Sequence, residues 1–224
     1  MATPDYNYTV LRGAPDAVAA NKVLKNTYIL LAATLGFSAL TAMLSMALQM
    51  PPMVYMGAVI ISMLLGIFVL PKTADSASGI GVIFLITGLL GFGLGAILSV
   101  YLALPNGPGI VATAFGGTAL IFLGLSGYAL TSKRDFSFLG GFVFAGMMVV
   151  MIAVIANLFF AMPALSLAIS GAVILLMSAL ILYDTSRIAR GEETNYIMAT
   201  YGIYLSIFNL FISLLQILGI MGDD

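Results

Sequence analysis

Charged residues, histidine and cysteine are scarce or missing in this chain of 224 residues. Charged residues make up only 8% of the sequence, while hydrophobic residues make up 62% and the mean hydropathy is +1.14. A soluble domain carries about a quarter charged residues, so this composition cannot build a water-facing surface. The natural solvent of the chain is therefore lipid. Its net charge of −1 provides no basic footprint for nucleic acid.

The missing residue types exclude several kinds of chemistry. Without cysteine there are no disulfides, thiolate metal sites or cysteine nucleophiles. Without histidine there is no Ser–His intramembrane protease and no zinc protease of the HExxH kind. An aspartyl protease needs two carboxylates in one site, and a retinal protein needs an intramembrane lysine. The predicted spans contain one aspartate and no lysine, so we expect neither enzymatic activity nor a cofactor.

Seven apolar stretches are long enough to cross a bilayer, which takes about 20 residues in a helix. Prolines lie at the junctions between the stretches, where a missing backbone N–H destabilises a helix least. The sequence therefore predicts an all-α integral membrane protein with a polar tail over residues 1–26 and a seven-helix membrane domain over residues 27–224. The predicted spans are residues 28–48, 53–70, 79–102, 109–130, 138–161, 164–184 and 197–220.

The positive charges predict the orientation of the spans. All eight lysines and arginines fall on one side of this topology, and cytoplasmic loops are the ones enriched in these residues. We therefore expect a cytoplasmic N-terminus and an extracytoplasmic C-terminal end that carries Asp223 and Asp224. The positive residues are Arg12, Lys22, Lys25, Lys72, Lys133, Arg134, Arg187 and Arg190.

The first 26 residues are polar, contain two prolines and lack a long periodic apolar pattern. This composition predicts a flexible cytoplasmic tail that Lys22 and Lys25 anchor at the membrane surface. Anchoring alone accounts for the pattern, and a handle for a cytoplasmic partner is the alternative. The charged residues that we consider for contact with such a partner are Arg12, Asp16 and Lys22.

Small residues within the spans predict close helix packing, because lipid gives helices no hydrophobic reason to associate. Span 3 carries three glycines at spacings of three and four, which place them on one helix face. We expect tight helix–helix contacts at these glycines and at the small residues of spans 4 and 5. The residues concerned are Gly88, Gly91 and Gly95, then Gly116, Gly117, Gly124 and Gly127, then Gly141 and Ala145.

Asp184 is the one ionisable residue within a predicted span, near the cytoplasmic end of span 6. It is either an interfacial aspartate paired with Arg187, or a carboxylate whose charge controls a proton- or cation-dependent change. Glu192 and Glu193 follow closely and form with it an acidic cluster able to attract a cation such as Ca²⁺. Either Thr194 or the next residue, an asparagine, can cap span 7.

Span 7 carries four polar residues on one helical face, at spacings of three, four and three. Such a face cannot point at lipid without leaving polar groups unsatisfied, so we expect it to turn inward. There it either fixes packing through hydrogen bonds or lines a path for ions or water. The four residues are Ser206, Asn209, Ser213 and Gln216.

Several runs in this order and spacing resemble the Bax inhibitor-1 family of seven-span proteins. The resemblance covers the chain from about residue 20 onward, and within the family it is strongest to a bacterial inner-membrane branch. The matching runs are Lys22–Tyr28, Gly116–Leu120, Ser137–Gly141, Pro163–Leu165, Tyr183–Ser186, Gly191 and Glu193–Ile197.

The resemblance implies a fold in which span 7 is central and the other six spans wrap it. For the bacterial branch it implies binding to the membrane-anchored ATP-dependent protease FtsH and its associated membrane proteins. Such proteins restrain the protease and are themselves slow substrates, extracted from the N-terminal tail.

Other bacterial members imply a different function, a pH-sensitive calcium leak. Their sensor is a pair of aspartates on spans 6 and 7, with an arginine latch on span 2. In this chain the first aspartate matches Asp184, but the second falls on Ser206, three residues before Asn209, and span 2 has no arginine. These three residues are our candidates for ion sensing. The incomplete sensor favours a modulator of proteolysis over a channel.

Overall fold

The structure, a computed structural model, describes residues 17–132 and 134–221. Seven helices in this part of the chain are long and apolar enough to cross a membrane, which confirms the predicted all-α fold and the seven spans. Their connections are short, so consecutive helices run antiparallel. The helices are α1 (Ala17–Ala47), α2 (Met53–Thr73), α3 (Ser78–Leu102), α4 (Gly107–Ser132), α5 (Phe138–Phe160), α6 (Pro163–Ala189) and α7 (Tyr196–Met221).

The first helix begins earlier than the sequence analysis expects. α1 starts at Ala17, inside the segment predicted as tail through residue 26. Ala17, Ala19 and Ala20 favour helix, and burial of Ala20 adds a tertiary contact, so the helical conformation extends beyond the apolar run. The rest of the predicted tail, residues 1–16, lies outside the described residues.

One end of the bundle holds the charged residues. At this end, which we call the charged end, α2, α4 and α6 finish and α1, α3, α5 and α7 begin. Its described cations are Lys22, Lys25, Lys72, Arg134, Arg187 and Arg190. The segregation of charge that the sequence predicts therefore holds for the described residues.

A stretch of π-helix interrupts α2. The α-helical geometry of Met53–Leu64 changes to π-helix over Leu65–Val69 and returns for the last turn, Leu70–Thr73. That last turn contains Pro71, which donates no backbone hydrogen bond. The Thr73 hydroxyl donates to the carbonyl oxygens of Val69 (3.1 Å) and Leu70 (3.2 Å), and the Leu70 oxygen also accepts the Ala74 backbone N–H (2.8 Å).

Close packing at the glycines of span 3 is confirmed. A Cβ atom added at Gly91 would overlap the carbonyl oxygen of Ser38, and one added at Gly95 would overlap that of Ala42. A Cβ at Gly88 would meet the ring of Phe37. Because both backbones meet at these glycines, α1 and α3 form the most extensive helix pair in the described chain.

The corresponding prediction for spans 4 and 5 is wrong at most of its glycines. A Cβ added at Gly116, Gly124, Gly127 or Gly141 would have no neighbour within 4 Å, and only Gly117 approaches another helix, at 3.4 Å from Leu214. The reason is that α4 turns a different face inward. That buried face is formed mainly by Ala114, Thr118, Ser126 and Ala129.

The last helix is the most enclosed of the seven. In its most apolar window 56% of the residues are buried, compared with 6% in α5. α7 packs extensively against α1, α4 and α6, and touches α3. These contacts agree with an interior position for α7, while its enclosure by all six other helices stays a prediction.

The two kinds of glycine give a matched stability test. Gly91→Ala should destabilise the protein by about 1–3 kcal/mol, because the added methyl group overpacks the contact between α1 and α3. Gly124→Ala adds the same methyl group in open space and should be neutral or stabilising by up to about 1 kcal/mol through helix propensity. Thermal unfolding in detergent measures both, and equal shifts for the two variants would contradict the packing described.

Candidate site around Asp184

A cavity of about 220 Å³ lies at the charged end between α6 and α7. Asp184 lines it from the penultimate turn of α6, and α7 forms the opposite wall through Met198, Tyr201 and Gly202. A Cβ added at Gly202 would lie 3.1 Å from Oδ2 of Asp184, so a glycine here lets the carboxylate approach the α7 backbone. Asp184, which the sequence places near the end of span 6, therefore lines a cavity.

Arg187 lies in the same cavity but does not pair with Asp184. Its guanidinium lies 3.9 Å from the carboxylate of Glu192 and 3.8 Å from that of Glu193, and no salt bridge within 4.0 Å joins Asp184 to another described residue. The interpretation of Asp184 as an ion-pair partner of Arg187 is therefore wrong.

The turn after α6 explains this change of partner. Gly191 adopts a positive φ of 73°, a conformation that glycine reaches without steric cost. The chain folds back there, and the backbone N–H of Glu192 donates to the carbonyl oxygen of Arg187 at 2.9 Å. The carboxylates of Glu192 and Glu193 consequently lie next to the side chain of Arg187, which belongs to the last turns of α6.

Two arginines, Arg187 and Arg190, bind the glutamates of the expected acidic cluster and so separate them from Asp184. Within residues 17–132 and 134–221, no group of three acidic side chains is placed to hold a metal ion. Glu192 is bound by both Arg187 and Arg190, and Glu193 by Arg187. Asp184 is therefore the cavity carboxylate that no arginine neutralises directly.

The other ion-sensing candidates do not join Asp184. Ser206 is buried, and its hydroxyl donates to the carbonyl oxygen of Gly202 within the same helix, at 3.1 Å. Asn209 is exposed, and its amide donates to the Leu205 carbonyl oxygen at 2.8 Å. Asn209 lines a second cavity of about 200 Å³ between α2, α3 and α7. At Asn209 the polar face of span 7 thus borders a cavity between helices, which agrees with the predicted inward direction.

The rest of that face behaves as predicted. Ser213 is buried, and Gln216 accepts a hydrogen bond from the Ser170 hydroxyl of α6 at 2.8 Å. Of the tail candidates, Lys22 is exposed on α1. Arg12 and Asp16 lie outside the described residues.

Hydrogen bonds tie the connecting segments of the charged end together. Arg190 binds Asp135 and Ser137 in the segment between α4 and α5, and Glu192 in its own segment. The Asn195 amide donates to Asp75 between α2 and α3 at 2.8 Å. Hydrogen bonds from Ser137 and from Arg190 hold the pKa of the Asp135 carboxyl below its ordinary value.

Asn195 also caps α7. Its side-chain oxygen accepts the backbone N–H groups of Ile197 (2.9 Å) and Met198 (3.1 Å), as a capping residue should. Of the two caps that the sequence allows, asparagine is the one used.

Tyr201 and Gly66 meet in the structure, although no sequence pattern predicts either of them as a site residue. Tyr201 lines both cavities, and its hydroxyl occupies the space where Gly66 would carry a side chain. Tyr201 lies eight residues before Asn209, about 80° around α7 at 3.6 residues per turn, so helical spacing alone does not place it on the polar face of span 7. Its contact with Gly66 was not readable, because that glycine belongs to a different span.

The fold and the site together define a polytopic membrane protein whose intramembrane carboxylate faces a cavity at its charged end. The chain belongs to the family described as inhibitor of apoptosis-promoting Bax1, whose model matches residues 20–223. This match confirms the family resemblance that the sequence motifs indicate.

Relatives of high identity come from several bacteria. An uncharacterized membrane protein of Vibrio cholerae is 50% identical over 224 residues, which is 100% of both chains. A protein of Escherichia coli named "Modulator of FtsH protease YccA" is 47% identical over 211 residues, covering 92% of this chain and 94% of its own. In a second Escherichia coli strain, a protein matched to the same extent is named "Inner membrane protein YccA".

Arg190→Gln tests the ties at the charged end. Loss of the guanidinium should speed hydrogen–deuterium exchange in the segment before α5, while global stability should change by at most about 1 kcal/mol because the ion pairs are near the surface. Lys25→Gln, which removes an exposed cation from α1, should leave that exchange unchanged. Exchange equally slow in Arg190→Gln and the unmodified protein would show that Arg190 does not order this segment.

The same tie has a defined pH dependence. Because the folded-state pKa of Asp135 is depressed, the tie is present at neutral pH. It should be lost as the pH falls through that folded pKa.

Proposed function

We propose that this chain modulates a membrane-anchored ATP-dependent protease of the FtsH type. The observation that carries the proposal is the 47% identity, over 92% of the chain, with the Escherichia coli protein named for that role. The chain acts by binding the protease and its associated membrane proteins, without catalysis of its own and without nucleic acid. It is itself a slow substrate.

The same comparison and the charge distribution support a location in a bacterial inner membrane. The relative in the second Escherichia coli strain is named an inner membrane protein. The described lysines and arginines share one end of the bundle, and such residues favour the cytoplasmic side. The N-terminus therefore faces the cytoplasm, where ATP is available to the protease, and the C-terminal end faces the other side.

The length of α1 supports a role for the N-terminal segment. A helix of 31 residues is about 46 Å long at 1.5 Å per residue, whereas the hydrocarbon core is about 30 Å thick. The first turns of α1 thus extend beyond the membrane on the charged side and carry Lys22 and Lys25, both exposed. Residues 1–16 precede this projecting end in the chain and lie outside the described residues.

Deletion of residues 2–14 tests whether the protease engages this segment. The deletion ends before α1 begins at Ala17, so the described bundle should keep its stability. With purified protease in proteoliposomes, the shortened chain should be degraded more slowly than the full chain and should inhibit degradation of a second membrane substrate less.

A scrambled control distinguishes length from sequence. A chain in which residues 2–14 are shuffled keeps the length and composition of the segment and should be degraded at the original rate if only an accessible end is needed. Neutralising Arg12, Asp16 and Lys22 together then measures the contribution of charge. Unchanged turnover and unchanged inhibition after the deletion would refute the role of the segment.

The cavity around Asp184 favours a second candidate function, a cation leak that includes Ca²⁺. Its carboxylate is partly buried, lies in a cavity at the charged end and forms no salt bridge with a described residue. A carboxylate at membrane depth is costly and is commonly kept for ion or proton passage. The division of the acidic cluster by arginine argues for a single weak site in place of a multidentate one.

Calcium flux in proteoliposomes tests this candidate. If the protein conducts, Asp184→Asn should lower the flux, because the neutral amide attracts a cation less. Glu192→Gln is the matched control, since that carboxylate is already paired with two arginines, and it should leave the flux unchanged. Absence of flux, or equal flux in the protein with and without Asp184→Asn, removes Asp184 from this role and leaves the protease proposal untouched.

A further inference from the structure

Two cavities follow one another along α7, and they share one residue. The first holds Asp184 at the charged end, and the second holds Asn209 between α2, α3 and α7. Tyr201 is the residue that lines both. Asn209 is 13 residues into α7, which places it about 20 Å from the charged end at 1.5 Å per residue. The Tyr201 ring thus stands between a cavity at the membrane surface and one at mid-depth.

The position of this ring depends on Gly66 of α2. A Cβ added at Gly66 would overlap the Tyr201 hydroxyl and would lie only 2.6 Å from the ring carbon Cζ. Gly66 belongs to the π-helical stretch Leu65–Val69, and such irregular turns are frequent at functional sites. Only glycine at position 66 therefore leaves this space on α2 free for the Tyr201 ring.

By comparison, burial and hydrogen bonds hold the ring of a nearby tyrosine, Tyr204, in place. Tyr204, three residues further along α7, is 1% exposed, and its hydroxyl is hydrogen bonded to the Ser38 hydroxyl (2.7 Å) and the Thr87 carbonyl oxygen (3.3 Å). Tyr201 is only partly buried, has a cavity on each side, and forms no side-chain hydrogen bond with another described residue. No hydrogen bond to a described residue therefore fixes the Tyr201 ring as Tyr204 is fixed.

We propose that the Tyr201 ring, resting against Gly66, is a movable partition between the Asp184 cavity and the Asn209 cavity. When the ring turns aside, the two cavities join, and water from the charged end reaches Asn209. This water supplies the hydrogen-bond partners that the exposed Asn209 amide lacks in lipid, since its one protein bond goes to its own helix. The inference goes beyond protease modulation and does not depend on it.

The cysteine-free chain allows a direct test by single-cysteine labelling. Asn209→Cys and Ser62→Cys each place one thiol in the Asn209 cavity, on α7 and α2 respectively. The protein in nanodiscs is treated with a charged, membrane-impermeant thiosulfonate, and modification is followed by intact mass. Val149→Cys, exposed in the middle of α5, and Ser76→Cys, in the exposed connection before α3, give the unreactive and reactive limits.

With Tyr201 in place, both cavity thiols should react slowly. Tyr201→Ala should speed their modification by about tenfold or more, because a minor open state of at most about a tenth of the molecules becomes the main one. Tyr201→Phe keeps the ring and should label as slowly as the unmodified chain. Leu205→Ala removes a side chain that lines the Asn209 cavity alone, and it should not speed labelling.

Gly66→Ala provides an independent displacement of the ring, because the added methyl group takes the space of the Tyr201 hydroxyl. It should also speed labelling, and it serves if Tyr201→Ala does not fold. Each variant is accepted as folded when it elutes as one species and keeps the Ser76→Cys rate. The proposal would be overturned if Asn209→Cys reacts at the same rate in the chain that keeps Tyr201 and in the chains with Tyr201→Ala or Gly66→Ala. This holds whether the shared rate is fast or slow.

Discussion

The constraint on which this structure depends is that lipid offers no hydrogen-bond partners. Every polar group at membrane depth must find its partner inside the protein or in admitted water. Most buried hydroxyls of the described chain follow this rule, although those of Tyr28 and Ser45 form no hydrogen bond with a described residue. Ser38 of α1 donates to the Thr87 carbonyl oxygen of α3 (2.7 Å) and bonds the Tyr204 hydroxyl of α7 (2.7 Å). Thr200 of α7 donates to the Thr27 carbonyl oxygen of α1 (3.2 Å). These bonds hold α7 against α1 and α3 in the bundle interior.

The same constraint explains which parts of the fold were predictable from sequence. Span length and proline position are properties of the chain alone, so all seven helices could be assigned. The direction of a helix face was harder, because a side facing lipid and a side facing another helix are equally apolar. Gly91 and Gly124 both looked like packing residues, yet only Gly91 meets another backbone. Which face is covered is decided by the neighbouring helix, and local spacing does not contain that information.

The candidate site was predictable in its residue types and not in its pairing. Asp184 was identified because a carboxylate within a span is costly. Its separation from Arg187 follows from the left-handed turn at Gly191, which returns Glu192 and Glu193 to that arginine. Tyr201 and Gly66 come from spans far apart in sequence, and no local pattern joins them. The sequence thus revealed the costly groups, while the turn and the tertiary contacts decided what each one faces.

The two candidate functions use different parts of the charged end. Contact with a protease would involve residues 1–16 and the projecting start of α1, whereas cation passage would involve the cavity between α6 and α7. The two parts are connected where Thr200 bonds the backbone at Thr27, on the first turns of α7 and near the start of α1. That hydrogen bond joins α1 to the end of α7 that forms one wall of the Asp184 cavity, so the two candidate functions share a structural boundary at the charged end.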